Sequence, residues 1–127
     1  VVNLHTEEIN PIKSILVCDD IEDMVFLIKT ALESEGYAVE TANCGNLALA
    51  KIQTKQPDLL ITNLMMPDMN GYELISHVRE DLKLNHLPIL VVSAAKEQSP
   101  NYQDIAGFIG KPFQIDELIE KVNSILE

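Results

Sequence analysis

Five short apolar runs constrain this chain more than any other feature. They are 14–18 (SILVC), 37–42 (YAVETA), 59–62 (LLIT), 88–92 (PILVV) and 107–109 (GFI). Runs this short, rich in β-branched residues and bounded by polar, Gly or Pro positions, read as buried strands. Helical spacing fills three of the gaps between them. Met24, Ile28, Ala31 and Leu32 recur at that spacing before Gly36, a residue suited to end a helix. Residues 47–56 follow a turn at 43–45 and are closed by Pro57; residues 72–80 turn Leu74, Ile75 and Val78 inward. A last helix over 114–126 is the clearest, with Ile115, Leu118, Ile119, Val122, Ile125 and Leu126 in one stripe.

Strands alternating with helices predict one α/β domain: a five-stranded parallel sheet with helices on both faces. Right-handed crossovers narrow the topology, and a flavodoxin-like strand order of 2-1-3-4-5 is expected. The domain is expected over 14–127, behind a polar N-terminal tail at 1–13. Pro100 interrupts the segment 94–105, so a fourth helix there is short or irregular.

A chain of 127 residues, 46% hydrophobic, can bury one real core. The net charge of −11 argues against nonspecific nucleic-acid binding and anionic membrane surfaces. No apolar run approaches the roughly 20 residues that span a bilayer. Cys18 and Cys44 form no metal spacing with each other or with His5, His77 or His86. Cys18 lies in an apolar run and reads as a small buried hydrophobe. With no disulfide expected, a reducing cytoplasm is the simplest setting.

In an open parallel sheet, chemistry collects at the carboxyl ends of strands. Asp19-Asp20, Asn63, Ser93 and Lys111 all follow strand ends and should converge. Two carboxylates beside a third oxygen ligand suit a hard divalent cation such as Mg²⁺. A hydroxyl at Ser93 and an ammonium at Lys111 suit phosphate oxygens. Taken singly, each has a plainer reading. Asp20 or Asp23 would cap the next helix, Lys111 would be a solvated lysine, and Phe108 would be core. Met65 and Met66 would be packing filler.

The stretch 57–71, PDLLITNLMMPDMNG, closely resembles the phosphoacceptor segment of response-regulator receiver domains, the switch modules of two-component phosphorelay signalling. The resemblance covers almost all of 14–127. It implies that Asp20 is a direct Mg²⁺ ligand, that Asp19 assists, and that the Met65 carbonyl is another ligand. It implies phosphoryl contacts from Ser93 and Lys111, a cis bond before Pro112, and a switch role for the aromatic Phe108. Implied partners are a histidine kinase or phosphotransfer protein upstream and an output domain or protein downstream. The exposed face of the last helix, with strand five and 94–105, is the expected partner surface. No catalytic residue is expected.

The chain departs from that family at three places. The residue at the phosphoacceptor position is an aspartate in the family and Asn63 here. Asn63 can offer a carbonyl to a metal, but no nucleophile and no charge, so Mg²⁺ should bind weakly. Ile21 follows the acidic pair where many receivers have another acidic residue, and the interval from Ser93 to Lys111 is short. Asn63 is either natural, in a phosphorylation-independent receiver, or introduced to block phosphorylation. The alternative class is a small metal-dependent phosphatase or hydrolase of flavodoxin-like fold. An aspartyl-nucleophile phosphatase would want Asp-x-Asp after strand one, and this chain has Asp19-Asp20-Ile21. A flavin-binding flavodoxin would need hydroxyl or glycine residues in that loop.

Overall fold

In the computed structural model, which describes residues 11–94 and 105–127, β3 (Leu59–Thr62) stands at the centre of the sheet with all four residues buried. β1 (Ser14–Cys18) and β4 (Ile89–Ser93) flank it. β2 (Ala38–Ala42) and β5 (Gly107–Gly110) form the edges. The order is β2-β1-β3-β4-β5 and every pairing is parallel, as expected. Strand positions differ from the sequence reading by at most one residue at either end. The expectations for residues 1–10 and for the segment after Ala94 fall outside the described residues.

Side chains that alternate along each strand feed two cores. On one face Leu16, Cys18, Leu60 and Val91 meet Ala48 and Ile52 of α2 (Gly45–Thr54) and Leu74 and Ile75 of α3 (Gly71–Ser76). On the other, Ile15, Val17, Leu59 and Ile61 meet Ile28 and Leu32 of α1 (Glu22–Glu33) and Leu118 and Val122 of α4 (Ile115–Leu126). Strands buried on both faces explain why 59–62 and 88–92 are continuous apolar runs rather than alternating ones.

Helix ends differ more from the sequence reading. Neither Asp20 nor Asp23 caps α1: Ile21 occupies the N-cap with no side-chain bond. Asp19 instead accepts from Ile21 N–H and from Lys111, while Glu22 and Asp23 lie in the first turn, where their charges complement the helix dipole. Beyond α1, Gly36 takes a left-handed φ of 97°, with Tyr37 N–H donating to Leu32 C=O and Gly36 N–H to Glu33 C=O. That is the glycine-terminated helix end expected from its position.

α3 begins one residue earlier than expected and is capped reciprocally. The Asn70 side chain accepts from Glu73 N–H, and the Glu73 carboxylate accepts from Asn70 N–H. It then widens into a π turn over His77–Asp81. The helix start bears on the site because Gly71 N–H donates to Leu64 C=O at 2.9 Å. A Cβ on Gly71 would lie 2.3 Å from the Asn63 carbonyl oxygen and 2.7 Å from Leu64 Cα, both backbone atoms that cannot swing aside. Gly71→Ala should therefore lower stability by about 1–3 kcal/mol, the range for overpacking. Chemical denaturation measures it; an unchanged midpoint would mean that the loop after β3 yields freely.

Candidate functional site

Parallel pairing sets the C-terminal ends of β1, β3, β4 and β5 along one edge of the sheet. The ladder runs one step past the strands. Asp19 N–H donates to Ala42 C=O at 3.1 Å, Asn63 N–H to Cys18 C=O at 3.1 Å, and Lys111 N–H to Ser93 C=O at 3.0 Å. The site residues thus inherit the sheet's rigidity. Asp19, Asn63 and Ser93 are all buried.

Lys111 Nζ donates to Asp19 Oδ2 at 2.9 Å. Neighbouring strands lie about 4.8 Å apart, so this pair links the outer strand β5 to β1 past the ends of β4 and β3. The Asp19 side chain is 3% exposed and that of Lys111 17%, so water screens the pair poorly. Removing the ammonium would leave a buried carboxylate unpaired. The remaining Asp19 oxygen, Oδ1, accepts from Ile21 N–H at 3.0 Å. Lys111 is therefore not a solvated surface lysine.

Asn63 is satisfied by its own loop. Its Oδ1 accepts from Leu64 N–H at 2.8 Å, with Met65 N–H at 3.4 Å. Its Nδ2 donates to Met65 C=O at 3.0 Å. That carbonyl is the one the resemblance assigns to a metal. Thr62 Oγ1 donates to Asn63 C=O at 2.9 Å and is itself fully buried. The sequence reading missed this threonine, although a polar residue ending an all-apolar strand is a visible signal.

The donor set fits a hard cation in part. Asp20 Oδ1 is buried with no hydrogen-bond partner, an oxygen that a cation would satisfy. Asp19 supplies a second carboxylate. Asn63 Nδ2 and Lys111 Nζ meanwhile cover two of the other expected ligand oxygens. Among the described residues, no three His, Cys, Asp or Glu side chains are grouped to hold a metal. An aspartate at position 63 would supply a third carboxylate.

The remaining residues divide. Met65 is 62% exposed, so only its backbone faces the site, while Met66 is buried. Phe108 is half-buried against the core on the α2–α3 side. The bond between Lys111 and Pro112 is cis, as the resemblance implies.

The family described as response regulator receiver domain matches residues 15–123. The chain belongs to that family. Over 116 residues it is 34% identical to the phosphate regulon transcriptional regulatory protein PhoB of Rhizobium meliloti, covering 88% of this chain and 51% of PhoB. The chemotaxis response regulator CheY4 of Vibrio cholerae superposes with a TM-score of 0.84 at 29% identity, covering 91% of this chain and all of that one. The response regulator TrrA of Thermotoga maritima, solved in complex with Mg(2+)-BeF, gives 0.82 at 32% identity, with 91% and 100% covered. This receiver domain spans about half the length of the curated transcriptional regulators it matches. No helix among its described residues is long and apolar enough to cross a membrane.

Cys18 forms the floor behind Asp19. It is fully buried, its Sγ lies 3.7 Å from Met66 Sδ, and burial pushes its thiol up to about 12. Below that pH it stays protonated, and the thiol, not the thiolate, is a poor nucleophile. Cys44 is only half-buried, and neither cysteine is in a disulfide. Iodoacetamide at pH 8 should modify Cys44 in the folded protein and reach Cys18 only in denaturant. Peptide mass analysis distinguishes the two; native labelling of Cys18 would mean that the floor of the pocket opens.

Proposed function

We propose that this receiver domain is a partner-binding switch module of a two-component phosphorelay and does not itself accept phosphate. One observation carries the reading: Asn63 holds the phosphoacceptor position, with its amide oxygen engaged by the Leu64 N–H. An acyl phosphate needs a carboxylate nucleophile, and an amide oxygen is a poor one. Asn63 is either the natural residue of a phosphorylation-independent module or a blocking substitution.

The upstream partner is a histidine kinase or phosphotransfer protein, and the downstream partner an output domain or protein, in the cytoplasm. The relatives' greater length and the free thiols support this. The exposed face of α4 with β5 is the surface we assign to partners. Ile21, Phe26 and Leu27, all exposed, give the start and outer face of α1 an apolar surface apart from that one. Ser93 and Lys111 are the groups we assign to a phosphoryl ligand, and Phe108 the switch aromatic.

Mg²⁺ is the cofactor that suits this donor set, held by Asp19 and Asp20 with oxygens of Asn63 and Met65. It would supply positive charge against phosphoryl oxygens. Two carboxylates, one already paired to Lys111, support a dissociation constant in the millimolar range or weaker, about −4 kcal/mol at best. Asp20→Ala should abolish Mg²⁺-dependent amide shifts; unchanged shifts would place the cation elsewhere. The hydrolase reading has less support, because Ser93 is fully buried and Lys111 is held by Asp19, so they make a poor nucleophile–base pair.

The decisive experiment is Asn63→Asp. The change is nearly isosteric and adds both a nucleophile and a third charge for the cation. Developing charge on the phosphoryl oxygens would meet Lys111 and the cation. Incubation with a small phosphodonor and Mg²⁺, followed by intact mass, should show one phosphoryl addition on Asn63→Asp and none on the unaltered chain. Addition to neither would mean that the pocket is degenerate beyond position 63. Equal addition to both would mean that another residue accepts phosphate.

A further inference from the structure

We propose that Lys111 and the Asn63 amide are built-in substitutes for the divalent cation, so that the pocket stays assembled without metal and Lys111 sets how weakly metal binds. The proposal rests on the reading of Asp19 and Asp20 as the cation's ligands.

Charge counting motivates it. Asp19 and Asp20 bring two negative charges and Lys111 one positive, while Asn63 brings none. A carboxylate at position 63 would compete for the ammonium. With an amide there, Asp19 holds Lys111 at 2.9 Å. The Asn63 amide has one consistent orientation. Its oxygen faces the Leu64 and Met65 N–H groups, so its Nδ2 must face away from them, and it meets the Met65 carbonyl at 3.0 Å. A carboxylate has no N–H to offer that carbonyl and would leave it to a cation.

Two positively polarised donors thus lie on two oxygens that a cation would take. Asp20 Oδ1 is the oxygen they leave without a partner. A cation entering beside Asp20 must displace the Lys111 ammonium from Asp19, trading one positive charge for two. That exchange gains less than binding at an uncovered pair of carboxylates.

Lys111→Met separates this role from a purely structural one. It uncovers Asp19 and gives the pocket the same formal charge as Asn63→Asp, with no new ligand and no nucleophile. Removing a nearby positive charge from a poorly screened site should tighten Mg²⁺ by about tenfold or more. Lys111→Arg keeps the charge and should leave the affinity near that of the unaltered chain. Without metal, Lys111→Met should melt lower, because the buried Asp19 loses its partner. Mg²⁺ should restore much of that loss, while it moves the melting point of the unaltered chain little.

The test is an amide-shift titration of the full chain and both variants with MgCl₂, with thermal melts alongside. Tightening in Lys111→Met but not in Lys111→Arg is the expected result. Equal affinity in Lys111→Met and the unaltered chain overturns the proposal, as does a destabilised Lys111→Met that Mg²⁺ fails to restore. Asp20→Asn placed in the Lys111→Met background tells the two readings apart. If it abolishes Mg²⁺ binding while Lys111→Met alone brings no tightening, only the substitute role of Lys111 falls. If Mg²⁺ still binds, or binds none of these variants, the assignment of the cation to the aspartates falls as well.

Discussion

Leu59, Leu60, Ile61 and Thr62 are buried on both faces of the sheet, so β3 can present a working side chain only past its C-terminal end. Parallel pairing then dictates the neighbours of that side chain. β1 in register delivers Asp19 and Asp20 on one side, and β4 delivers Ser93 on the other. β5 adds Lys111 from one strand further out. Among the described residues, the helices pack against the two faces of the sheet rather than over this edge. The site is therefore a consequence of the core: burying four residues of one strand places chemistry from four strands in one place.

What the site can do turns on one functional group. An amide and a carboxylate have nearly the same shape, so Asn63 costs the fold little. It nevertheless changes the electrostatics throughout the pocket. The amide N–H satisfies the Met65 carbonyl, and Lys111 pairs with Asp19. The pocket closes on itself through short, poorly screened contacts. The family's phosphoryl and metal chemistry would open those same contacts.

Much of the fold was legible because it depends on one-dimensional patterns. β-branched apolar runs marked all five strands, and the stripe over 114–126 marked α4. The strand ends then named Asp19, Asp20, Asn63, Ser93 and Lys111 without coordinates. Helix termini were less legible, since they depend on competition for individual N–H groups. Asp20 and Asp23 were plausible caps, but Asp19 bonds the Ile21 N–H and no side chain caps α1. Asn70 and Glu73 form a capping box that starts α3 one residue before the apolar spacing at 72–80. The π turn at His77–Asp81 has no sequence signature, because helical spacing of apolar residues tolerates one extra residue. The position of the Met65 carbonyl was anticipated, but its partner was not. Which donor reaches it depends on an amide orientation that spacing does not encode.

The proposed function requires that Asn63 be the residue that denies this receiver pocket a phosphoacceptor. Fluorine NMR with Mg²⁺ and beryllofluoride, a phosphoryl mimic that bonds to a carboxylate oxygen, tests it most directly. The unaltered chain should show only free fluoride species, and Asn63→Asp should show a bound signal. A bound signal on the unaltered chain, persisting in Asn63→Ala, would contradict the account: another oxygen would then be the acceptor, and Asn63 would not be the residue that silences the site.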